Sequence, residues 1–303
     1  MSSWGLMMEA RIMKGRDLLG VPVIDELRLC YIAEPSLLQE LASISIGHSA
    51  LFSGYIFVRI GGDRFEYTFV VFEDDTEARM EIGMIKFGRY GGDSSNQVFF
   101  RVNNPILYDR AKMEIALVLP EVLGLYFNDI TALDIAVDHN KNFSAIIKRM
   151  MRNEKVSTIL NGRAVKDRKA VIKGISFDYS SSLSRLHCPT ITLKQAKATK
   201  NKAKGITIQS YDKKAEIECS SGKRYILDRY DNPRYLYRLE VRLNYQELQD
   251  YFRKAGIPQS VDVLKDPEFL VDIFYYHLGA VLRFTRGRKP LAWQDIIQCN
   301  GRV

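Results

Sequence analysis

Three segments in the second half of the chain alternate apolar residues with residues that could handle a phosphate ester. In Leu133–Asp138, Leu133, Ile135 and Val137 alternate with Asp134, Ala136 and Asp138. In Gly205–Lys213, Ile206 and Ile208 alternate with Thr207, Gln209, Tyr211 and Lys213. In Tyr235–Leu243, Leu239, Val241 and Leu243 alternate with Arg238, Glu240 and Arg242. Side chains point to opposite faces along a strand, so each segment predicts one greasy and one ionisable face. If the three strands are neighbours with polar faces aligned, Asp134, Glu240, Tyr211 and Lys213 converge on one open surface. Carboxylates on adjacent strands repel unless a cation lies between them. Mg²⁺ or Mn²⁺ suits such hard oxygen ligands. A divalent ion beside a phosphodiester neutralises developing charge. A tyrosine hydroxyl can then attack phosphorus and leave a covalent 5′-phosphotyrosine. A nearby lysine or arginine would stabilise the phenolate or the transition state. An antiparallel sheet with one solvated face shows the same alternation without any chemistry, so spacing alone leaves both readings open.

Charge says what such a surface would meet. The chain carries a net +8, spread unevenly: residues 1–125 hold 12 basic and 17 acidic side chains, residues 126–303 hold 32 and 19. A basic C-terminal half suits a polyanion. Lys194, Lys197, Lys200, Lys202 and Lys204 crowd the segment before Tyr211, as phosphate contacts would, or as a solvated loop would. Arg283-Phe-Thr-Arg286-Gly-Arg288-Lys289 interleaves an aromatic with cations. That suits a single strand's backbone and bases, and equally a helix C-terminus complemented by positive charge. Arg238 and Arg242 join these as candidate DNA contacts.

Other chemistries find little support. No Gly-rich loop ends in Gly-Lys-Ser/Thr, and His48, His139, His187 and His277 stand too far apart for metal-ligand spacing. Ser180-Ser-Ser182 has no nearby base. Cys30, Cys188, Cys219 and Cys299 are scattered, as reduced thiols of a cytoplasmic protein would be. No apolar run reaches membrane-spanning length, and Met1–Lys14 lacks a signal peptide's apolar stretch.

The positioning elements follow from composition. Strands are expected at Leu27–Ile32, Tyr55–Ile60, Glu66–Phe72, Glu81–Phe87 and Val98–Val102, with helices at Ser36–Ser43 and Asp109–Leu117. After the Leu133–Val137 strand, Asn142 caps a helix whose face carries Phe143, Ile146, Ile147 and Met150. Further strands are expected at Val171–Phe177, Thr190–Leu193, Gly205–Tyr211, Arg224–Leu227 and Tyr235–Leu243. Asp231-Asn232-Pro233 would turn between the last two. Asp266-Pro267 opens a final helix with His277 on its apolar face, where a core histidine is expected.

Glu26–Ser43 matches Ala132–Met150 in layout, and Val98–Tyr108 resembles Tyr237–Glu247. The chain is therefore read as α+β, with two pseudo-repeated β-α-β units forming a broad, mostly antiparallel sheet with helices on one face. Its halves are residues 1–125 and 126–303.

Leu133-Asp-Ile-Ala-Val-Asp138, then Ser210-Tyr-Asp-Lys-Lys-Ala-Glu216, then Tyr237-Arg-Leu-Glu-Val-Arg-Leu243 resemble the replication initiation factors of rolling-circle plasmids and filamentous phages, and related relaxases. The resemblance covers roughly residues 80–255 and rests on the order and spacing of short motifs. It implies a sheet-based core, a metal-dependent nick at a replication origin, a tyrosine–DNA covalent intermediate and often dimers; a hairpin or inverted-repeat origin and a host helicase are the expected partners. By position, Asp134 and Glu240 would be metal ligands and Tyr211 would be the nucleophile or lie beside it, with Lys213 or Lys214 assisting. Many members carry a tyrosine on the preceding strand, where this chain has Thr190-Ile-Thr-Leu193; Tyr235 and Tyr237 are the fallback nucleophiles. The N-terminal half would be a degenerate repeat that recognises origin duplex or forms the dimer contact. The alternative is a non-catalytic single-stranded DNA-binding or regulatory protein on the same scaffold. A third reading is a structural virion component.

Overall fold

A computed structural model describes residues 15–62, 64–74, 79–89, 96–166, 176–177, 190–194 and 205–302. The first half supplies β1 (Pro22–Ile32), β2 (Ser49–Phe52), β3 (Tyr55–Ile60), β4 (Phe65–Glu73), β5 (Met80–Arg89) and β6 (Gln97–Val102). Helix α1 (Pro35–Ala42) follows β1, and α2 (Asn104–Leu107) and α3 (Arg110–Val122) follow β6. The second half repeats the plan with β7 (Tyr126–His139) and α4 (Phe143–Arg152). It continues with β8 (Ser157–Leu160), β9 (Arg163–Ala164), β10 (Ser176–Phe177), β11 (Ile191–Lys194) and β12 (Thr207–Asp212). Short helices α5 (Lys213–Glu216) and α6 (Arg224–Arg229) lead to β13 (Tyr237–Asn244). Then come α7 (Tyr245–Ala255), α8 (Pro267–Val281), β14 (Leu282–Arg286), β15 (Lys289–Pro290) and α9 (Trp293–Gln298).

Eleven strands form one antiparallel sheet in the order β10-β11-β12-β13-β7-β1-β6-β5-β4-β3-β2. β15, β14, β8 and β9 make a smaller second sheet. The two halves meet where β1 pairs β7, with Leu27 opposite Leu133, Glu26 opposite Asp134 and Arg28 opposite Ala132. Half a turn about the Leu27–Leu133 pair exchanges the repeats. Arg28 faces Arg101 on β6 as Asp134 faces Arg242 on β13, and Cys30 faces Phe99 as Ala136 faces Glu240. Arg28, Phe99 and Arg101 thus stand where the second repeat has Asp134, Glu240 and Arg242. The ladder corrects the sequence match between Val98–Tyr108 and Tyr237–Glu247 by two residues. The true register aligns Asn103 with Asn244, each at the N-cap of the helix that follows its strand.

One hydrophobic cluster joins the sheet's apolar face to the helices. Leu27, Leu133, Ile135, Leu239 and Val241 are fully buried there, each contributing about 1.5–3 kcal/mol of transfer free energy. α4 begins as expected: the Asn142 side chain accepts from the Ala145 amide at 2.9 Å. Its Phe143, Ile146, Ile147 and Met150 are buried. Asp266 caps α8 by accepting from the Glu268 amide at 2.9 Å, with Pro267 in the first turn. His277 on that helix is a core residue, 2% exposed, packed against the Tyr251 and Tyr276 rings.

Arg224–Leu227, expected as a strand, is the start of α6. Both edges of β13 are already paired, to β12 and β7, so no ladder was open to it. Short apolar runs do not separate strand from helix by themselves. Asp231 and Asn232 do turn, at φ 55° and 47°, but they join a helix to a strand. Most of the expected Val171–Phe177 strand lies outside the described residues, as do His187 and Cys188. Cys30, Cys219 and Cys299 are free thiols. Among the described residues no helix is long and apolar enough to cross a membrane.

Candidate active site

β12, β13 and β7 are neighbours, and their registers put the polar positions on one face. Tyr211 lies opposite Arg238, Gln209 opposite Glu240, and Thr207 opposite Arg242. Arg238 lies opposite Asp138, and Arg242 opposite Asp134. Tyr211 Oη donates to Glu240 Oε2 at 2.9 Å. Glu240 is fully buried, and its other oxygen accepts from Arg242 Nε at 2.5 Å. The same Nε stands 3.5 Å from Asp134 Oδ2. The guanidinium of Arg242 thus occupies the gap between the two carboxylates. Burial and the Glu240 charge outweigh that cation and push the Asp134 carboxyl up to about 7. Burial, followed by Glu240, raises the Tyr211 phenol well above its ordinary value.

Asp134 and Glu240 supply one carboxylate each. Among the described residues no group of three His, Cys, Asp or Glu side chains converges. Two carboxylates fit a Mg²⁺ or Mn²⁺ ion that keeps several waters and shares its remaining positions with a substrate phosphate. The Asp134 carboxyl is raised first by burial and then by the Glu240 charge, and a divalent ion between the two would offset both. Arg242 would have to move aside; its side chain is 47% exposed and has solvent to move into.

Next to this cluster the polar face is closed. Arg238 is fully buried and clamps Asp138 through Nε (2.7 Å) and Nη2 (2.6 Å). It also donates to Asp25 Oδ1 at 2.7 Å and to Tyr108 Oη at 2.7 Å. Tyr108 in turn donates to Asp25, and Tyr230 Oη reaches Asp138 at 3.2 Å. Tyr225, from α6, packs edge-on against Tyr108 and donates to Asn104. Burial alone would raise the Asp25 carboxyl, but Arg238 and Lys213 outweigh it and hold it well below the ordinary range.

These contacts sort the residues expected from sequence. Tyr211, Glu240, Asp134 and Arg242 come together. Lys213 also comes near, though from the first turn of α5 instead of the strand: its ammonium is 5.7 Å from the Tyr211 ring centre and 2.8 Å from Glu216. Burial first, then Arg238, lowers its pKa. Lys214 donates to the Pro233 carbonyl at 2.9 Å. Arg238 is a correction: with no exposed surface it cannot contact DNA. Arg286 and Arg288 are exposed on the second sheet's hairpin, off the strands that carry Tyr211. The backbone of Lys194 pairs with Thr207. Lys197, Lys200, Lys202 and Lys204 lie outside the described residues. Tyr237 falls with Leu239 on the apolar side of β13, so it is no fallback nucleophile; Tyr235 precedes the strand and is exposed.

Sequence reading missed Asp25, Tyr108 and Tyr230. One signal was available: Asp25-Glu26 puts two acids in succession within an apolar strand, which breaks the alternation. β1 carries a bulge there, with Asp25 skipped between the Ile24–Ile135 and Glu26–Asp134 pairs.

No family model matches the chain, and no curated protein does. A solved structure, that of a rolling circle replication initiator protein from Geobacillus stearothermophilus, aligns over 93% of this chain and 97% of its own. The TM-score is 0.42 and the sequence identity 12%.

Proposed function

We propose that this chain nicks and rejoins single-stranded DNA at a replication origin through Tyr211. The observation that carries the reading is the 2.9 Å hydrogen bond from Tyr211 Oη to Glu240 Oε2, with Asp134 and Arg242 beside it on the same face. A nucleophile and a base in hydrogen-bond contact are the minimum for this chemistry. Glu240 takes the phenolic proton as Tyr211 Oη attacks phosphorus. The bond from phosphorus to the 3′ oxygen breaks, the 3′ oxygen takes a proton, and the 5′ end stays on the tyrosine. Attack by a 3′-hydroxyl on that phosphotyrosine reverses the step and restores the phenol. Arg242, released from the carboxylates, and Lys213 face the developing negative charge. A Mg²⁺ or Mn²⁺ held by Asp134 and Glu240 would neutralise charge on the scissile phosphate. Origin hairpin, host helicase and a dimer are further parts of this reading.

The test uses single-stranded oligonucleotides spanning the inverted repeats of its own replicon, with Mn²⁺, on a denaturing gel. A covalent protein–DNA band is expected from the wild type and lost in Tyr211→Phe. Binding without a covalent band would instead establish the non-catalytic reading. One observation favours that second reading: Arg242 already fills the gap between the carboxylates.

A further inference from the structure

The first repeat carries a different set of side chains at the positions that hold the acidic cluster in the second. Arg28 replaces Asp134, Phe99 replaces Glu240, and Arg101 is retained opposite Arg242. These residues line a cleft of about 340 Å³ together with Phe65, Met84 and Lys86. That volume is at the small end of ligand pockets, enough for one nucleotide. The Phe65 and Phe99 rings, both half-buried, stand 5.4 Å apart at 57°, tilted instead of stacked on one another. Lys86 lies opposite Phe99 on β5, its ammonium 5.9 Å from the Phe65 ring centre. Arg28 and Arg101 are 53% and 54% exposed and share one acidic partner, Glu26. Three cations against one carboxylate leave the cleft positive.

The backbone fixes this cleft. Gly83, at φ 157°, lets β5 approach β6 so closely that a Cβ would lie 2.3 Å from the Arg101 carbonyl. That approach sets the register placing Lys86 against Phe99 and Met84 against Arg101. The cleft also adjoins the acidic cluster. Arg28 is two residues from Glu26, and Glu26 faces Asp134 across the seam. Two residues along a strand span about 7 Å.

We propose that this cleft is a single-strand subsite, in which one unstacked base lies on Phe99 and Phe65 while the flanking phosphates meet Arg28, Lys86 and Arg101. Positive charge with exposed aromatic faces is the combination that holds single-stranded nucleic acid, because every base has a stacking face. A duplex keeps its bases stacked and offers the rings nothing. The subsite takes its substrate class from the reading above and would align the strand that runs on to Tyr211.

The experiment is fluorescence anisotropy of the full chain with a fluorescein-labelled oligothymidylate of about a dozen nucleotides, in EDTA so that no cleavage occurs. Phe99→Leu is expected to weaken binding about fivefold or more, the low end of one base–aromatic stack. Lys86→Gln is expected to reduce the slope of log affinity against log salt by about 0.7. Arg253→Gln, on α7 at the covered face, serves as the unaffected control. Wild-type affinity in Phe99→Leu with an unchanged salt slope in Lys86→Gln overturns the proposal. So does a blunt duplex that outcompetes the oligothymidylate, or a Phe99→Leu variant that changes oligomeric state and keeps its affinity. An oligothymidylate bound through Phe99 by a chain that never forms a covalent band overturns the tyrosine chemistry and leaves the subsite standing. Covalent attachment by a chain whose Phe99→Leu variant binds like the wild type does the reverse.

Discussion

Replacing Arg238 with methionine tests the buried network directly. The guanidinium makes four hydrogen bonds of 2.6–2.7 Å, two to Asp138, one to Asp25 and one to Tyr108. Asp138 is fully buried and the Asp25 side chain is 14% exposed. Arg238→Met removes the cation that both carboxylates share, leaving Asp138 unpaired and Asp25 with Lys213 alone. Removing one partner of a buried ion pair costs about 3–5 kcal/mol. Acidification should then act with opposite sign on the two proteins. In the wild type Asp25 is held well below its ordinary value. Its contribution is complete above about pH 4 and is lost as pH falls further. In the variant, burial acts on Asp25 without Arg238 to oppose it, so its carboxyl rises and its protonation between pH 7 and 5 restores part of the loss. The assay is urea denaturation followed by far-ultraviolet circular dichroism at pH 7 and pH 5. The variant should be less stable by about 3–5 kcal/mol at pH 7, and the difference should narrow at pH 5. A difference below about 1 kcal/mol at pH 7, or one that widens on acidification, would refute the reasoning.

Asp134 gives the reverse pH signature. Its folded carboxyl sits at about 7 against an ordinary 3.8, so its charge burdens the fold as pH rises through 7. Asp134→Asn should stabilise the protein at pH 8, by at most about 4 kcal/mol, and leave stability nearly unchanged at pH 4. The same variant should lose Mn²⁺ binding by calorimetry; stabilisation without that loss would argue that the site holds no ion. His277 lies at about 4 instead of 6.5 because of burial and Lys254. Neither ring nitrogen has a hydrogen-bond partner among the described residues. The stability this represents is complete above about pH 6.5 and falls away towards pH 4, by up to about 3 kcal/mol. His277→Phe should flatten that part of the denaturation profile, and an unchanged profile would assign the loss to other groups.

The alternation of Asp134, Tyr211 and Glu240 with buried aliphatics was enough to place them on one face. The period of a strand is two, and a wrong register would expose the whole apolar set. The doubling of the unit was legible as well, from β1–α1 against β7–α4, though its second half was aligned two residues out. Arg238 was misjudged as a DNA contact because alternation tells which face a residue takes, not what covers that face. The covering pieces, Tyr108, Tyr225 and Tyr230, come from segments with no period of their own. Lys213 left the strand because Asp212 caps a helix there, accepting from the Ala215 amide at 3.0 Å, a local signal that the apolar pattern masked.

The strand that emerges first from the ribosome among those described, β1, is also the middle of the finished sheet. Its two partners are β6, at residues 97–102, and β7, at residues 126–139. At about 5–20 residues per second, β1 waits several seconds with both hydrogen-bonding edges bare. During that time Leu27 and Leu29, later fully buried, have no sheet to enter. A nascent chain arrested shortly before residue 97 should therefore depend on chaperone cover, and one that has released β7 should not.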